Sequence, residues 1–225
     1  MNADLQKLYD NRFEAKEKKQ KNAIWKEICK YLASKSQKQY KTIVDIAAGY
    51  CDFINHFDSN CKKYAIDVNP DVKKYAEKNI EVIVDNIENL SLHFKENSIS
   101  LFFMSNFLEH IPKESISRLL QTEYGLLEEG GEVWILTPNI RYVGGKYWDF
   151  FDHITPITEK ALIEEARLVG FEVLMCIPKF LPYTTKSRLP QVPWLVHLYL
   201  NLMPLSGKIF GEQSFLILSK TRKGI

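Results

Sequence analysis

The stretch Thr42-Ile43-Val44-Asp45-Ile46-Ala47-Ala48-Gly49-Tyr50-Cys51-Asp52 decides the fold of this 225-residue chain. Its first half is a β-branched run, which suits a buried, pleated strand. Its second half opens on small residues, which let the chain turn sharply and let a ligand approach the backbone. An acid, Asp45, stands just before that turn. The same change of pattern recurs on both sides. Tyr64 to Asp67 reads as a second strand, followed by a helix carrying Val72, Tyr75 and Ala76. Ile80 to Val84 is a third, and Ile99 to Met104 a fourth, with a helix over 114–127 behind it. Glu132 to Thr137, after the Gly130-Gly131 turn, is a fifth. A helix from Thr158 to Gly170 leads into strands at Phe171 to Ile177 and Ser214 to Ser219. Strands alternating with helices predict an α/β fold, a mostly parallel, doubly wound sheet with helices on both faces.

Upstream, Ile24, Trp25, Ile28, Tyr31 and Leu32 fall at helical spacing, so residues 1–35 are expected as an N-terminal helical extension. Residues 36–225 then form the main domain, with 178–213 as a lid-like insert rich in Phe180, Leu181, Tyr183, Trp194, Tyr199 and Phe210. The composition, 45% hydrophobic and 26% charged, is that of a soluble globular chain. A net charge of +2 disfavours nucleic acid as a partner. The lysine-rich run from Lys16 to Lys26 reads as a solvated helix face. The four cysteines are scattered without a CxxC pair, which points away from zinc and disulfides and towards a reducing, cytoplasmic compartment; no metal is expected. The first 20 residues are polar and charged, so no signal peptide is expected. The uncharged stretch 189–207 is broken by prolines and is too short to span a bilayer, though it could lie on one as a peripheral contact. Oligomeric state is not readable.

Parallel sheets of this kind bind ligands at the carboxyl ends of their strands. There the chain places Asp45, Asp67 and Asp85 in succession. A diphosphate loop would want several glycines with free amides, and only Gly49 is present, which disfavours a nicotinamide-dependent oxidoreductase. A carboxylate near the turn suits a cationic amino group, Asp67 can accept from both hydroxyls of a ribose, and a side-chain oxygen of Asp85-Asn86 can accept from an adenine amino group.

On these residues the chain resembles the class I S-adenosylmethionine-dependent methyltransferases. Val44 to Asp52 is similar to their first motif, with Ala47 and Cys51 where the family has its first and third glycines. Ala65-Ile66-Asp67-Val68-Asn69-Pro70 is similar to the second, and Val84 to Leu90 to the adenine-side motif. Leu101 to Ile111 resembles the fourth strand with its Leu108-Glu109-His110 end; Leu126 to Val133 resembles the turn before the fifth. The resemblance implies a seven-stranded Rossmann-like sheet whose last strand is antiparallel and inserted beside the fifth. It implies S-adenosylmethionine as cofactor and S-adenosylhomocysteine as product. The cofactor would be held by Asp45, Ala47, Ala48, Gly49, Tyr50, Asp67, Val68, Asp85, Asn86, Ile87, Ser105 and Asn106.

An oxygen acceptor needs a route for its proton, and histidine is suited to take it. His153, in the aromatic and acidic loop Tyr147 to His153, is the first candidate and His110 the second. Tyr142, Tyr147, Trp148 and Arg188 are the candidate substrate contacts. The stretches Asn139 to Pro156 and Arg188-Leu189-Pro190 resemble methyltransferases of bacterial surface-polysaccharide pathways, which implies a sugar or lipid-linked glycan hydroxyl as acceptor. The alternative is a degenerate methyltransferase fold acting as a binding scaffold without catalysis.

Overall fold

The computed structural model describes residues 15–36, 38–57, 60–183 and 192–221. Helix α1 (Ala15–Ala33) precedes β1 (Thr42–Ile46), β2 (Lys62–Asp67), β3 (Ile80–Val84) and β4 (Ile99–Ser105). Then come α2 (Lys113–Leu126), β5 (Leu127–Pro138), α3 (Glu159–Val169), β6 (Phe171–Ile177), α4 (Pro193–Asn201), α5 (Leu205–Phe210) and β7 (Gln213–Lys220), with short helical turns between. The strands form one sheet in the order β3-β2-β1-β4-β5-β7-β6. β1 to β5 pair in parallel, and β7 runs antiparallel between β5 and β6. This is the seven-stranded architecture expected from the sequence.

Alternation along each strand divides the core in two. Ile43, Leu101, Phe103, Trp134, Phe215 and Ile217 face one side of the sheet, where Trp25, Ile28 and Leu32 of α1 cover them. Val44, Ile46, Phe102, Met104, Val133, Ile135, Leu216 and Leu218 face the other, under Leu119 and Leu120 of α2 and Leu162 and Ala166 of α3. Each such side chain contributes roughly 1.5–3 kcal/mol of burial. On the α1 side, Phe53 stacks on Phe103 at 3.6 Å, and Tyr40 and Phe57 meet Trp134 edge-on.

The described parts of 178–213 belong to the α1 face. Phe180 is buried and stacks on Tyr31 at 5.6 Å, Tyr199 Oη donates to the Phe180 carbonyl at 2.6 Å, and Leu200 is buried. His197 Nδ1 lies 3.1 Å from Glu27 of α1. Trp194, Leu198, Leu202, Leu205 and Ile209 are exposed.

Three local expectations change. The helix after β2 is a 3-10 turn, Pro70–Lys74: Asn69 caps it through Asp71 N, and only Val72 is buried, too little apolar surface to hold a longer helix. Between β1 and β2, where the alternation of strands and helices implies a helix, the polypeptide around His56 is a series of turns. β5 begins at Leu127, five residues before the expected start, and carries Gly130-Gly131 within it across a register shift between Ile99 and Leu101. Gly131 is required there, because a Cβ would lie 2.9 Å from the Glu128 carbonyl oxygen and 3.0 Å from that of Ile99. α3 keeps its expected ends, with Thr158 accepting from Ala161 N and Gly170 at φ +113°.

Glu123 lies on the buried stripe of α2 with Ile116, Leu119, Leu120 and Leu126. Neither carboxyl oxygen has a hydrogen-bond partner among the described residues. Burial alone pushes its pKa well above the ordinary 4.5, so the folded protein holds a proton that the unfolded chain releases. Stability linked to that proton is therefore present in full below about pH 4.5 and is lost as pH rises towards the folded pKa. Glu123→Leu should raise stability at neutral pH by about 1–3 kcal/mol, the size of an unsatisfied buried polar group. Glu123→Gln should flatten the pH dependence. Denaturant unfolding of the three proteins between pH 5 and 8 checks both, and parallel pH curves for the wild type and Glu123→Gln would refute the assignment.

Candidate active site

The turn after β1 is built on alternate left-handed residues: Ala47 at φ 52°, Gly49 at φ 53° and Cys51 at φ 57°. Two of the three are not glycine, so the loop holds a conformation that costs an L-residue roughly 1–2 kcal/mol. Cross-links hold it. Ala48 N donates to the Ile66 carbonyl at 3.1 Å, Cys51 N to the Ala48 carbonyl at 2.7 Å, and Gly49 N to Asp67 Oδ2 at 2.8 Å. Above Gly49 the space is open, since a Cβ built there meets nothing nearer than the Ala47 carbonyl oxygen at 3.9 Å. Cys51 turns the other way: its side chain is fully buried beside the Val72 carbonyl, and burial pushes the thiol up to about 12. Cys51→Gly should relieve the backbone and lose a small buried side chain, two effects of about 1 kcal/mol that offset. Stability by denaturation and cofactor affinity by calorimetry should both stay near wild type; a large loss of affinity in a folded variant would mean that Sγ makes a specific contact.

The acids stand at neighbouring strand ends. Asp67 Oδ1 accepts from Asn69 N at 2.8 Å and Oδ2 from Gly49 N, which fixes the carboxylate's plane. Burial raises its pKa, and those amides oppose the shift. A carboxylate offers about four acceptor sites, so capacity remains for incoming hydroxyls. Asp45 is buried under the turn that follows the loop and accepts from the Ile54 amide; burial first, then Asp52 and Asp67, push its pKa well up. Tyr50 packs edge-on against Tyr75 at 4.8 Å, and Lys21 of α1 lies 5.0 Å from the Tyr50 ring and 2.8 Å from Asp52, so α1 reaches the loop. Asp85 accepts from Asn86 N, Asn89 Nδ2 and His93 Nε2 at 2.7–2.8 Å, with Asn89 and His93 holding its pKa down. Asn86 Oδ1 caps Glu88 N, opening the Ile87–Asn89 turn. Val68 is exposed. Beyond β4, Asn106 takes φ 49°, donates its amide to the Leu136 carbonyl at 2.8 Å and its side-chain nitrogen to Ser105 Oγ.

The structure brings His110 and His153 together. Their rings meet at 4.8 Å, near perpendicular. Backbone bonds join the two loops: Ile154 N and Thr155 N both donate to the Glu109 carbonyl, at 2.9 and 3.1 Å, and Thr155 Oγ1 donates to that of Ile111 at 2.6 Å. His110 Nδ1 lies 3.1 Å from the Asp152 carbonyl oxygen, and its Nε2 lies 4.0 Å from Glu109 Oε1. Glu109 is buried, accepts from Thr137 Oγ1 at 3.3 Å, and is raised by burial to about 8. His153 is buried among aromatics, stacked on Phe150 at 5.2 Å and edge-on to Tyr147 at 4.7 Å.

Of the expected substrate contacts, Tyr142 is half-buried beside Lys179, whose Nζ lies 5.3 Å from its ring. Trp148 is 53% exposed. Tyr147 is fully buried, its hydroxyl donating to the Thr155 carbonyl, so it supports His153 from behind and presents no surface to a substrate. Arg188 lies outside the described residues. Sequence reasoning gave no role to Glu109, Asp152 or Lys21. Glu109 stands beside His110 in the chain and could have been weighed with it; Asp152 and Lys21 acquire their places only through the packing of one element on another.

Residues 43–131 match a family described as methyltransferase domain. The chain carries a class I methyltransferase fold. A SAM-dependent methyltransferase from Archaeoglobus fulgidus is similar at 18% identity and a TM-score of 0.64, with 86% of this chain and 93% of that one covered. A chain of the complex between the Haloferax volcanii Trm112 methyltransferase activator and a methyltransferase is similar at 13% identity and a TM-score of 0.66, covering 93% and 95%. The [4+2]-cyclase SpnF is similar at 13% identity and a TM-score of 0.58, covering 87% and 80%. No curated protein matches the sequence. Since the methyltransferase fold also carries a cyclase, the activity has to be argued from the site.

Proposed function

We propose that this chain transfers a methyl group from S-adenosylmethionine to a hydroxyl oxygen of a small-molecule or glycan acceptor, a sugar hydroxyl in the first place. The observation that carries the reading is one shared edge. Because β1 to β5 are parallel, the open backbone at Gly49, the Asp67 carboxylate and the His110–His153 pair all lie beyond the same ends of the sheet. The cofactor of such a domain is S-adenosylmethionine. The residues present fit it: Gly49 leaves room for close approach, Asp67 has acceptor capacity for ribose hydroxyls, and Asp85 and Asn86 offer oxygens to an adenine amino group. Acceptor oxygens of Asp52 and Asp67 near the loop suit an amino group, while Asp45, buried with its pKa pushed up, holds the turn behind the loop through the Ile54 amide. Ala47, Ala48, Tyr50, Val68, Ile87, Ser105 and Asn106 complete the surround. When bound, the cofactor supplies an electrophilic methyl group on a sulfonium.

On the acceptor side, His153 receives the proton of the attacking hydroxyl, with His110 beside it, and Tyr142 and Trp148 offer aromatic faces to the acceptor. The exposed apolar side chains of α4 and α5 support a lipid-linked acceptor held at a membrane surface; among the described residues no helix is long and apolar enough to cross a membrane. Calorimetry with S-adenosylmethionine and S-adenosylhomocysteine, followed by label transfer to a panel of sugars and lipid-linked sugars, tests the reading. Absence of cofactor binding would leave the scaffold alternative in its place.

A further inference from the structure

Glu109, His110 and His153 place one carboxylate oxygen and two imidazole nitrogens within 4.8 Å of one another. We propose that these three side chains form a site for a first-row divalent cation of the zinc class, with open positions for an acceptor hydroxyl and a second oxygen next to it. Two imidazoles and a carboxylate are a ligand set of this chemistry, and three protein ligands leave coordination positions open.

The surroundings orient the ligands. A carbonyl oxygen can only accept, so the Asp152 carbonyl at 3.1 Å sets the hydrogen of His110 on Nδ1. The lone pair of the neutral ring then sits on Nε2, the nitrogen 4.0 Å from Glu109 Oε1. Such a hydrogen bond to the far nitrogen is what a metal-bound imidazole needs to hold its tautomer and direction. Glu109 Oε2 is engaged by Thr137 Oγ1, which leaves Oε1 on the His110 side. The main chain fixes the three relative to one another, because the Glu109 carbonyl accepts from both Ile154 and Thr155, the two residues after His153. Ligand atoms around a tetrahedral ion at 2.0–2.2 Å stand about 3.4 Å apart, so a gap as wide as 4.8 Å has to close by about 1.4 Å, within reach of side-chain rotation. Phe150 and Tyr147 wall the His153 side, which limits water around an ion.

The role given to the ion rests on the methyltransferase reading; its binding does not. One carboxylate under a dication leaves net positive charge, which suits an acceptor presenting adjacent oxygens, such as a vicinal diol, over an isolated alcohol. With an ion in place His153 would serve as a ligand instead of taking the proton; the cation would acidify the bound hydroxyl, and the proton would pass to water.

The test uses the full chain after chelation and dialysis, without cofactor. Cobalt(II) is followed by its visible ligand-field absorption and zinc by calorimetry. One equivalent should bind, with His110→Ala, His153→Ala and Glu109→Gln each weakening it at least tenfold. His197→Ala, which alters an imidazole on the opposite α1 face, should bind as the wild type does. If the buried substitutions at Glu109 or His153 unfold the protein by circular dichroism, half-exposed His110→Ala still decides. Absence of stoichiometric binding by the wild type, or unchanged affinity in folded His110→Ala, overturns the site. Cofactor affinity measured on the same preparations separates the two ideas: a chain that binds S-adenosylmethionine but no cation loses only this inference, while one that binds the cation but no S-adenosylmethionine loses the proposed function.

Discussion

Asp67→Ala should weaken S-adenosylmethionine binding at least tenfold while the protein stays folded. The carboxylate stands at the end of β2, pinned by the Gly49 and Asn69 amides at 2.8 Å. A charge-assisted hydrogen bond to a ribose hydroxyl contributes roughly 1.5–3 kcal/mol, and 1.4 kcal/mol is a factor of ten. The substitution acts twice, since it also releases the Gly49 amide and with it a loop that already holds Ala47 and Cys51 in left-handed backbone. Asp67→Asn keeps an acceptor for one amide and should fall between the two. Calorimetry with S-adenosylmethionine reads the affinity and circular dichroism the fold. Wild-type affinity in Asp67→Ala would remove Asp67 from the cofactor site.

How much of this was readable in the sequence depends on the range of the forces concerned. β1, β3 and β6 stand where the residues put them, because a β-branched run bounded by turn residues is a local signal. The acids at the ends of β1 to β3 were readable for the same reason, Asp45 being next to last in β1, Asp67 the last residue of β2 and Asp85 the first after β3. The early start of β5 was not, since Gly130-Gly131 reads as a turn until the Ile99 and Glu128 carbonyls are seen to crowd Gly131. Nor was the burial of Tyr147: its aromatic and acidic neighbours read as a surface loop, and only the hydrogen bond to the Thr155 carbonyl and the contact with His153 draw it inward. The joining of His110 to His153 depends on backbone bonds between distant loops, which no spacing rule encodes. Local patterning carries the residues proposed for the cofactor; those proposed for the acceptor are brought together by tertiary packing.

His153→Ala should lower turnover by about 10²–10⁴ with cofactor affinity largely retained, the usual consequence of losing a group that handles the acceptor's proton. The position supports a loss of this size. His153 is buried at 7% exposure and braced by Phe150, Tyr147 and His110, which fixes its ring where the acceptor's proton is to be taken. His153 follows β5, which β4 separates from β1 and β2 with their Gly49 and Asp67 cradle, so the two readouts divide: affinity for S-adenosylmethionine follows Asp67, turnover follows His153. His153→Asn decides between positioning and proton handling. An amide can hold a substrate hydroxyl by a hydrogen bond but cannot accept its proton at neutral pH, and it is a poor replacement for an imidazole on a cation. If His153 takes the proton or holds the ion, the Asn variant should be nearly as slow as the Ala variant, with KM close to wild type. If it retains most of the turnover, His153 only positions the acceptor, and His110, at 4.8 Å, becomes the group to which the proton passes.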